Sequence, residues 1–124
     1  MFKLFLLLGS CNAFLAVILG AFGAHGLKDK ISPEMILVYQ TGVQYQMFHA
    51  LALILIALLC KHIKPSSILT WAGWLIFAGI VFFSGSLYVL SMSGLKALGM
   101  ITPFGGVAFL MGWAMLAVAV WKQS

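Results

Sequence analysis

Charged side chains are scarce in this chain, and that scarcity limits the class of protein it can be. Only 7% of its 124 residues are charged, arginine is absent, and the acidic residues are Asp29 and Glu34. A soluble domain carries about 25% charged residues, whereas 64% of this chain is hydrophobic. Such a surface cannot stay in water as a monomer. The seven lysines lie singly or in pairs among apolar runs, so we expect no nucleic-acid partner.

Residues that bind metals or catalyse reactions are also few. Cys11 and Cys60 are the only cysteines, and both lie in apolar stretches typical of small buried residues, not of a disulfide or zinc site. Ser84 or Ser86 could be paired with His49 as nucleophile and base, but the surrounding Phe-Ser-Gly-Ser-Leu is not the Gly-x-Ser-x-Gly turn of serine hydrolases. We therefore predict no catalytic residue, no metal site and no cofactor, and a protein that is not an enzyme.

Long hydrophobic runs, separated by short polar segments, make up most of the chain. About 20 apolar residues in a helix span the roughly 30 Å hydrocarbon core of a bilayer. Four runs approach that length, near residues 4–24, 45–60, 68–90 and 103–121. We predict an all-α, polytopic integral membrane protein, a single four-helix transmembrane domain over residues 1–124 with the lipid bilayer as its partner. Ser32-Pro33-Glu34 is typical of a helix start, so the mixed segment before the second span is predicted to be helical, either interfacial or packed in the bundle.

The lysines indicate how the spans are oriented. Four spans place both termini on one side of the membrane, together with Lys3, Lys61, Lys64 and Lys122. The opposite side carries both acidic residues and Lys28, Lys30 and Lys96. The positive-inside rule then favours termini that are both cytoplasmic.

The first span has one narrow face of small residues. Asn12, Ala16, Gly20 and Ala24 recur at every fourth position. Such faces let helix backbones approach closely in lipid. This face could pack within the chain or against another copy in a homo-oligomer.

Polar motifs recur at the ends of the spans that face away from the termini. The chain reads GAFGAHGLK at 20–28, YQTGVQYQMFHA at 39–50, FSGSLY at 83–88 and GMITPFGG at 99–106, followed by Gly112-Trp113. Together these motifs resemble the domain-of-unknown-function 423 family, also called uncharacterised protein family 0382. It comprises small YgdD-like bacterial inner-membrane proteins related to eukaryotic transmembrane protein 256. The resemblance implies a four-helix protein of the bacterial plasma membrane and supplies no activity or catalytic residue.

The same motifs predict a polar cluster between the helices, near the leaflet opposite the termini. Tyr45 and His49 are four residues apart and share a helix face. Polar side chains at membrane depth are costly unless they face the bundle interior or one another. The candidate site comprises His25, Gln44, Tyr45, His49, Ser84, Ser86 and Tyr88.

Four functions remain open for this cluster. It could be structural, with hydrogen bonds linking the helices of an accessory membrane protein. It could bind a lipid or another small amphiphile, with Lys28 and Lys30 near an anionic group. It could belong to a transport or proton-conducting subunit, although the spans contain no carboxylate. His25 and His49 could also be the two axial ligands of a haem.

Overall fold

A computed structural model describes residues 1–123 of the chain, and within that range its regular secondary structure is all helical, with no β-strand. Its α-helices are α1 (Phe2–His25), α2 (Pro33–His62), α3 (Ser67–Gly79), α4 (Gly85–Ser93) and α5 (Thr102–Trp121). A π-helical turn at Ile80–Ser84 joins α3 to α4, and a 3-10 helix at Lys96–Met100 precedes α5. Four helical segments are therefore long and apolar enough to cross a membrane: α1, α2, the continuous Ser67–Ser93 helix, and Lys96–Trp121.

Local sequence signals set the ends of these helices. Ser32 caps α2, since its hydroxyl oxygen accepts a hydrogen bond from the Met35 N–H at 3.2 Å, and Pro33 occupies the first turn. Ser66 caps α3 in the same way. Gly94 ends α4 with a φ of 73°, a left-handed conformation that glycine adopts without a steric penalty. The polar connections between spans are short as a result.

The mixed segment before the second span is the first part of α2. The helix runs without interruption for 30 residues from Pro33. Tyr39 and Gly42, which lie in this segment, are both buried. The segment therefore packs inside the bundle, the second of the two arrangements that the sequence allowed.

The spans form two packed pairs that meet through the second and third spans. α1 packs along α2, and α5 packs along α3 and the π-helical turn, while α2 also contacts α4. A continuous apolar core fills the half of the bundle nearer the termini; its largest members include Phe5, Leu53, Ile56, Ile76 and Phe109. This core leaves the polar side chains to the other half and to the middle of the bundle.

The backbones of α5 and the π-helical turn approach each other closely. A Cβ added at Gly105 would lie 2.7 Å from the Cα and Cβ of Phe83 and still closer to its backbone nitrogen. Only glycine allows this approach without a shift of one helix. The turn itself accommodates one extra residue, and the Gly85 N–H donates to the carbonyl of Ile80, five residues back.

Candidate functional site

A chain of amide and phenol groups connects the first three spans. The Asn12 side-chain amide on α1 donates to the carbonyl of Leu8 at 2.8 Å, and its oxygen accepts from Gln46 Nε2 on α2 at 3.0 Å. Gln46 Oε1 in turn accepts from the Tyr88 hydroxyl on α4 at 2.6 Å. Gln46 is only 5% exposed, so both of its hydrogen bonds lie away from water and lipid.

Helix periodicity places Gln46 in this position. Tyr39, Gly42, Gln46, His49 and Leu53 are buried in α2 and recur at spacings of three and four residues. This is the spacing of one helix face. The buried face of the second span therefore carries polar groups in the middle of an otherwise apolar helix.

Tyr39 extends the same network toward the end of α1. Its ring is 1% exposed, and its hydroxyl donates to the carbonyl of Leu19 at 2.5 Å. The Tyr39 and Tyr88 ring centroids are 5.3 Å apart. The Tyr39 ring fits because Gly23 has no side chain at the point of contact. α1 and α2 are thus connected by polar groups at two successive levels.

The serines around the π-helical turn bind the third span to both of its neighbours. Ser84 is fully buried and donates to the carbonyl of Gly42 on α2 at 2.8 Å. The Ser86 hydroxyl lies 2.6 Å from the Thr102 hydroxyl at the start of α5. Side chains two positions apart in a helix point about 200° away from each other, so Ser84 and Ser86 contact partners on opposite sides.

His49 and Trp113 form a polar pair between α2 and α5. His49 Nδ1 lies 2.8 Å from the carbonyl of Tyr45, and Nε2 lies 3.0 Å from the indole Nε1 of Trp113. A carbonyl requires a hydrogen on Nδ1, and an indole N–H requires a lone pair on Nε2. These partners assign the neutral Nδ1–H tautomer to His49. Both ring nitrogens of His49 are therefore engaged in hydrogen bonds within the bundle.

Aromatic rings surround this pair. The His49 ring stacks on Phe109, with centroids 3.6 Å apart and an interplanar angle of 14°. The Tyr45 ring lies within 11° of the His49 plane and 24° of the Phe109 plane. Tyr45 also contacts Phe83 in the π-helical turn, at 4.6 Å between centroids. A set of nearly parallel rings therefore occupies the junction of α2, the π-helical turn and α5.

A cleft of about 500 Å³ opens beside these rings. Its floor includes His49 and Phe109, which are buried, and its rim includes Val107, Leu110 and Trp113, which are exposed. The exposed surfaces of a membrane span face lipid, so the cleft opens sideways toward the bilayer. Tyr45 also lines the cleft.

The Tyr45 hydroxyl is the polar group of this cleft that lacks a protein partner. The residue is 38% exposed, and its hydroxyl makes no hydrogen bond within residues 1–123. All buried side-chain nitrogen and oxygen atoms in that range do have partners. The cleft therefore presents one hydrogen-bond donor in an otherwise aromatic and aliphatic lining.

A second cleft, of about 460 Å³, lies at the end of the bundle that carries the termini. Its lining includes Phe2, Cys60, Ser66 and Thr70. It contains none of the predicted site residues and is separate from the polar network.

The structure brings together five of the seven predicted site residues, but in two groups. Tyr45 and His49 line the lateral cleft. Ser84, Ser86 and Tyr88 make hydrogen bonds between helices inside the bundle. The predicted single cluster is therefore a network with a cleft at its side.

His25 and Gln44 lie outside this network. Both are exposed and make no hydrogen bond within residues 1–123. Gln44 is two residues from both Gly42 and Gln46, so the helix turns it to the opposite face. His25 is the last residue of α1, beyond the packed part of that helix. The two histidines considered as haem ligands therefore have different surroundings.

Four polar residues of the network were not among the predicted site residues: Asn12, Tyr39, Gln46 and Thr102. The spacing of Gln46 three residues before His49 was a usable signal, since it places both on one helix face. Asn12 gave the signal of a lone amide within an apolar span, which is costly unless paired. Within residues 1–123, no group of three or more His, Cys, Asp or Glu residues is placed to hold a metal ion.

Fold and site together define a small polytopic membrane protein with a polar network between its apolar spans. Residues 19–106 match the profile of a family described as "Protein of unknown function (DUF423)". The chain is 55% identical over 120 residues to the UPF0382 membrane protein YwdK of Bacillus subtilis, covering 97% of this chain and 98% of that protein. It is 49% identical over 120 residues to a UPF0382 membrane protein of Staphylococcus epidermidis, covering 97% of each. The chain therefore belongs to the DUF423 family.

The family resemblance expected from the motifs is thus confirmed, and so is the all-helical membrane fold. The matched relatives are named as membrane proteins, and these names indicate no enzymatic activity. No solved structure matches the chain.

Proposed function

We propose that this protein is a non-catalytic accessory protein of the bacterial plasma membrane, whose spans are held in one arrangement by the buried polar network. The observation that carries the proposal is the position of Gln46, which accepts from Tyr88 and donates to Asn12 at the same time. Hydrogen bonds between membrane helices contribute about 0.6 to 2 kcal/mol each. Two such bonds at one residue connect three spans.

The test compares two glutamines that lie two residues apart on α2. Gln46→Leu removes both hydrogen bonds and leaves the Asn12 oxygen and the Tyr88 hydroxyl without partners, so we expect the free energy of unfolding to fall by about 1–3 kcal/mol. Gln44→Leu is the matched control, because Gln44 is exposed. Both variants would be unfolded by titrating SDS into the protein in mild detergent. Equal stabilities for the two variants would contradict the proposed role of Gln46.

A second candidate function is supported by the lateral cleft. We propose that the cleft holds a small amphiphile from the bilayer. Its volume of about 500 Å³ lies within the range of sites for small molecules. A donor without a partner at membrane depth favours a ligand with an acceptor, and the Tyr45 hydroxyl is such a donor.

Native mass spectrometry of the purified protein tests this second function. Gly106→Leu would fill the cleft, since a Cβ at Gly106 meets nothing closer than Phe83 ring atoms at 3.9 Å. Gly85→Leu is the matched control, because its Cβ would have no neighbour within 4 Å and Gly85 does not line the cleft. We expect an amphiphile-sized mass adduct on the parent protein and on Gly85→Leu, and its loss from Gly106→Leu. Adduct-free spectra of all three proteins would refute the second function.

The orientation of the protein is part of the same proposal. The excess of lysines beside the termini supports a cytoplasmic position for both ends. Cys60 lies near the end of α2 on that side and lines the terminal cleft. A membrane-impermeant maleimide should therefore label Cys60 in inverted vesicles and not in intact cells. Labelling of Cys60 in intact cells would instead show that both termini lie outside the cytoplasm.

A further inference from the structure

The nearly parallel rings beside the lateral cleft indicate which chemical class of amphiphile it fits. The planes of Tyr45, His49 and Phe109 lie within 11° to 24° of one another. His49 and Phe109 stack on each other and are buried, whereas the Tyr45 and Trp113 rings are 38% and 41% exposed and line the cleft. Aromatic rings prefer offset-stacked or edge-to-face partners, so these exposed rings favour a flat ring over a flexible acyl chain. We propose that the cleft binds the ring of a quinone-type lipid, a flat conjugated ring with carbonyl oxygens and an apolar tail. This inference rests on the proposed amphiphile-binding function and assigns its ligand class.

Hydrogen bonding supports the same ligand class. The available group is the Tyr45 hydroxyl, a donor that has no partner within residues 1–123. The other polar groups beside the cleft, His49 Nε2 and Trp113 Nε1, already satisfy each other at 3.0 Å. A quinone carbonyl supplies the acceptor that the tyrosine needs. The hydrocarbon part of an acyl chain offers none.

The surroundings of the cleft also fit a ligand that is part ring and part tail. The buried floor at His49 and Phe109 lies toward the bundle interior, while Val107 and Leu110 on the rim are 52% and 71% exposed. A ring held at the floor leaves its tail among lipid chains, with no further cavity required. Since the opening faces the bilayer, such a ligand reaches the cleft without crossing water.

Trp113 provides a direct probe, because its ring lines the cleft. The other tryptophans, Trp71, Trp74 and Trp121, lie outside the cleft lining and are at least 37% exposed. Replacing these three by phenylalanine therefore leaves Trp113 as the single tryptophan without emptying a buried site. Decylubiquinone, a benzoquinone with a ten-carbon tail, would be titrated into this variant in detergent while the quenching of Trp113 fluorescence is measured.

Two background variants separate binding in the cleft from collisions in the micelle. Gly106→Leu blocks the cleft, whereas Gly85→Leu adds the same side chain away from it. We expect saturable quenching of Trp113 that is lost with Gly106→Leu and kept with Gly85→Leu. Tyr45→Phe should weaken the apparent affinity roughly 3- to 10-fold, the value of one hydrogen bond. A variant with Trp71 as its single tryptophan should show only weak, non-saturating quenching.

Decanoic acid is added as a competitor of decylubiquinone and is also examined separately by native mass spectrometry. Its binding shows whether the cleft holds an aliphatic amphiphile even when it does not hold a quinone. Non-saturating decylubiquinone quenching that is equal for Trp113 and Trp71 would overturn the quinone inference. If decanoic acid then still forms an adduct that Gly106→Leu abolishes, the cleft binds aliphatic amphiphiles and only the ligand class is wrong. If neither probe binds, both proposals are wrong. Saturable quenching that Tyr45→Phe leaves unchanged would also overturn the inference, because the tyrosine hydrogen bond is part of it.

Discussion

The contact between Gly105 and the π-helical turn allows a sharp test of how the third and fourth spans pack. In Gly105→Ala the new methyl carbon would lie 2.7 Å from the Cα and Cβ of Phe83, with the Phe83 nitrogen closer still. The obstacle includes backbone atoms, which cannot rotate away as the end of a flexible side chain can. The two helices must therefore separate by roughly 1 Å to restore ordinary contact distances.

Gly106→Ala is the control, because it makes the same glycine-to-alanine change at the neighbouring position. A methyl group at Gly106 would lie 3.9 Å from the Phe83 ring, an ordinary contact. Replacing glycine by alanine inside a helix raises the free energy of unfolding of both variants by about 0.5–1 kcal/mol. Only Gly105→Ala adds an overpacking cost, which is typically about 1–3 kcal/mol. The difference between the two variants isolates that cost.

The measurement is the free energy of unfolding of both variants in mild detergent, by SDS titration followed by circular dichroism. We expect Gly106→Ala to be as stable as the parent or more so, and Gly105→Ala to be less stable than Gly106→Ala by about 1–3 kcal/mol. Indistinguishable variants would refute the close approach of α5 to the π-helical turn, and with it the geometry of the cleft that these two elements line.

Three further substitutions address other contacts, each measured by the same unfolding assay. Tyr39→Phe removes the hydrogen bond to the Leu19 carbonyl and should cost about 1 kcal/mol; no loss would mean that the carbonyl finds another donor. Ser86→Ala removes the contact with the Thr102 hydroxyl, and we expect a loss below about 1 kcal/mol because Thr102 keeps the Leu98 carbonyl as a partner. Gly9→Ala places a methyl 2.8 Å from a backbone oxygen of α2 and should destabilise the α1–α2 pair by about 1–3 kcal/mol; unchanged stability would contradict that pairing.

The sequence predicted the spans because their signal is strong and local. Twenty apolar residues without a charge have few alternatives to a transmembrane helix. It is harder to predict which polar residues of α2 are buried, because all of them lie within a short stretch. Gln46 and Gln44 differ only in the face of the helix on which they lie. Once the buried face is anchored at Gly42 and His49, the periodicity alone assigns Gln46 to the interior.

Other parts of the site could not be predicted because they depend on tertiary contacts. The pairing of Trp113 with His49 joins residues 64 positions apart, and no periodicity within one helix reports it. The π-helical turn has no distinctive sequence, since Ile80 to Phe83 would also continue an ordinary α-helix. The spacing of Asn12 assigns it to the small-residue face of the first span, and only the position of Gln46 on α2 shows that its amide accepts a hydrogen bond between spans.

The π-helical turn has a consequence for which partners the two halves of the third span can reach. A single extra residue in a helix rotates everything after it by about 100°, and the turn takes up that rotation within the third span. The side chains before it, which pack on α5, and those after it, which contact α2 and Thr102, therefore follow separate phases. Without the extra residue, one of these two sets of side chains would be rotated away from its partners by about 100°.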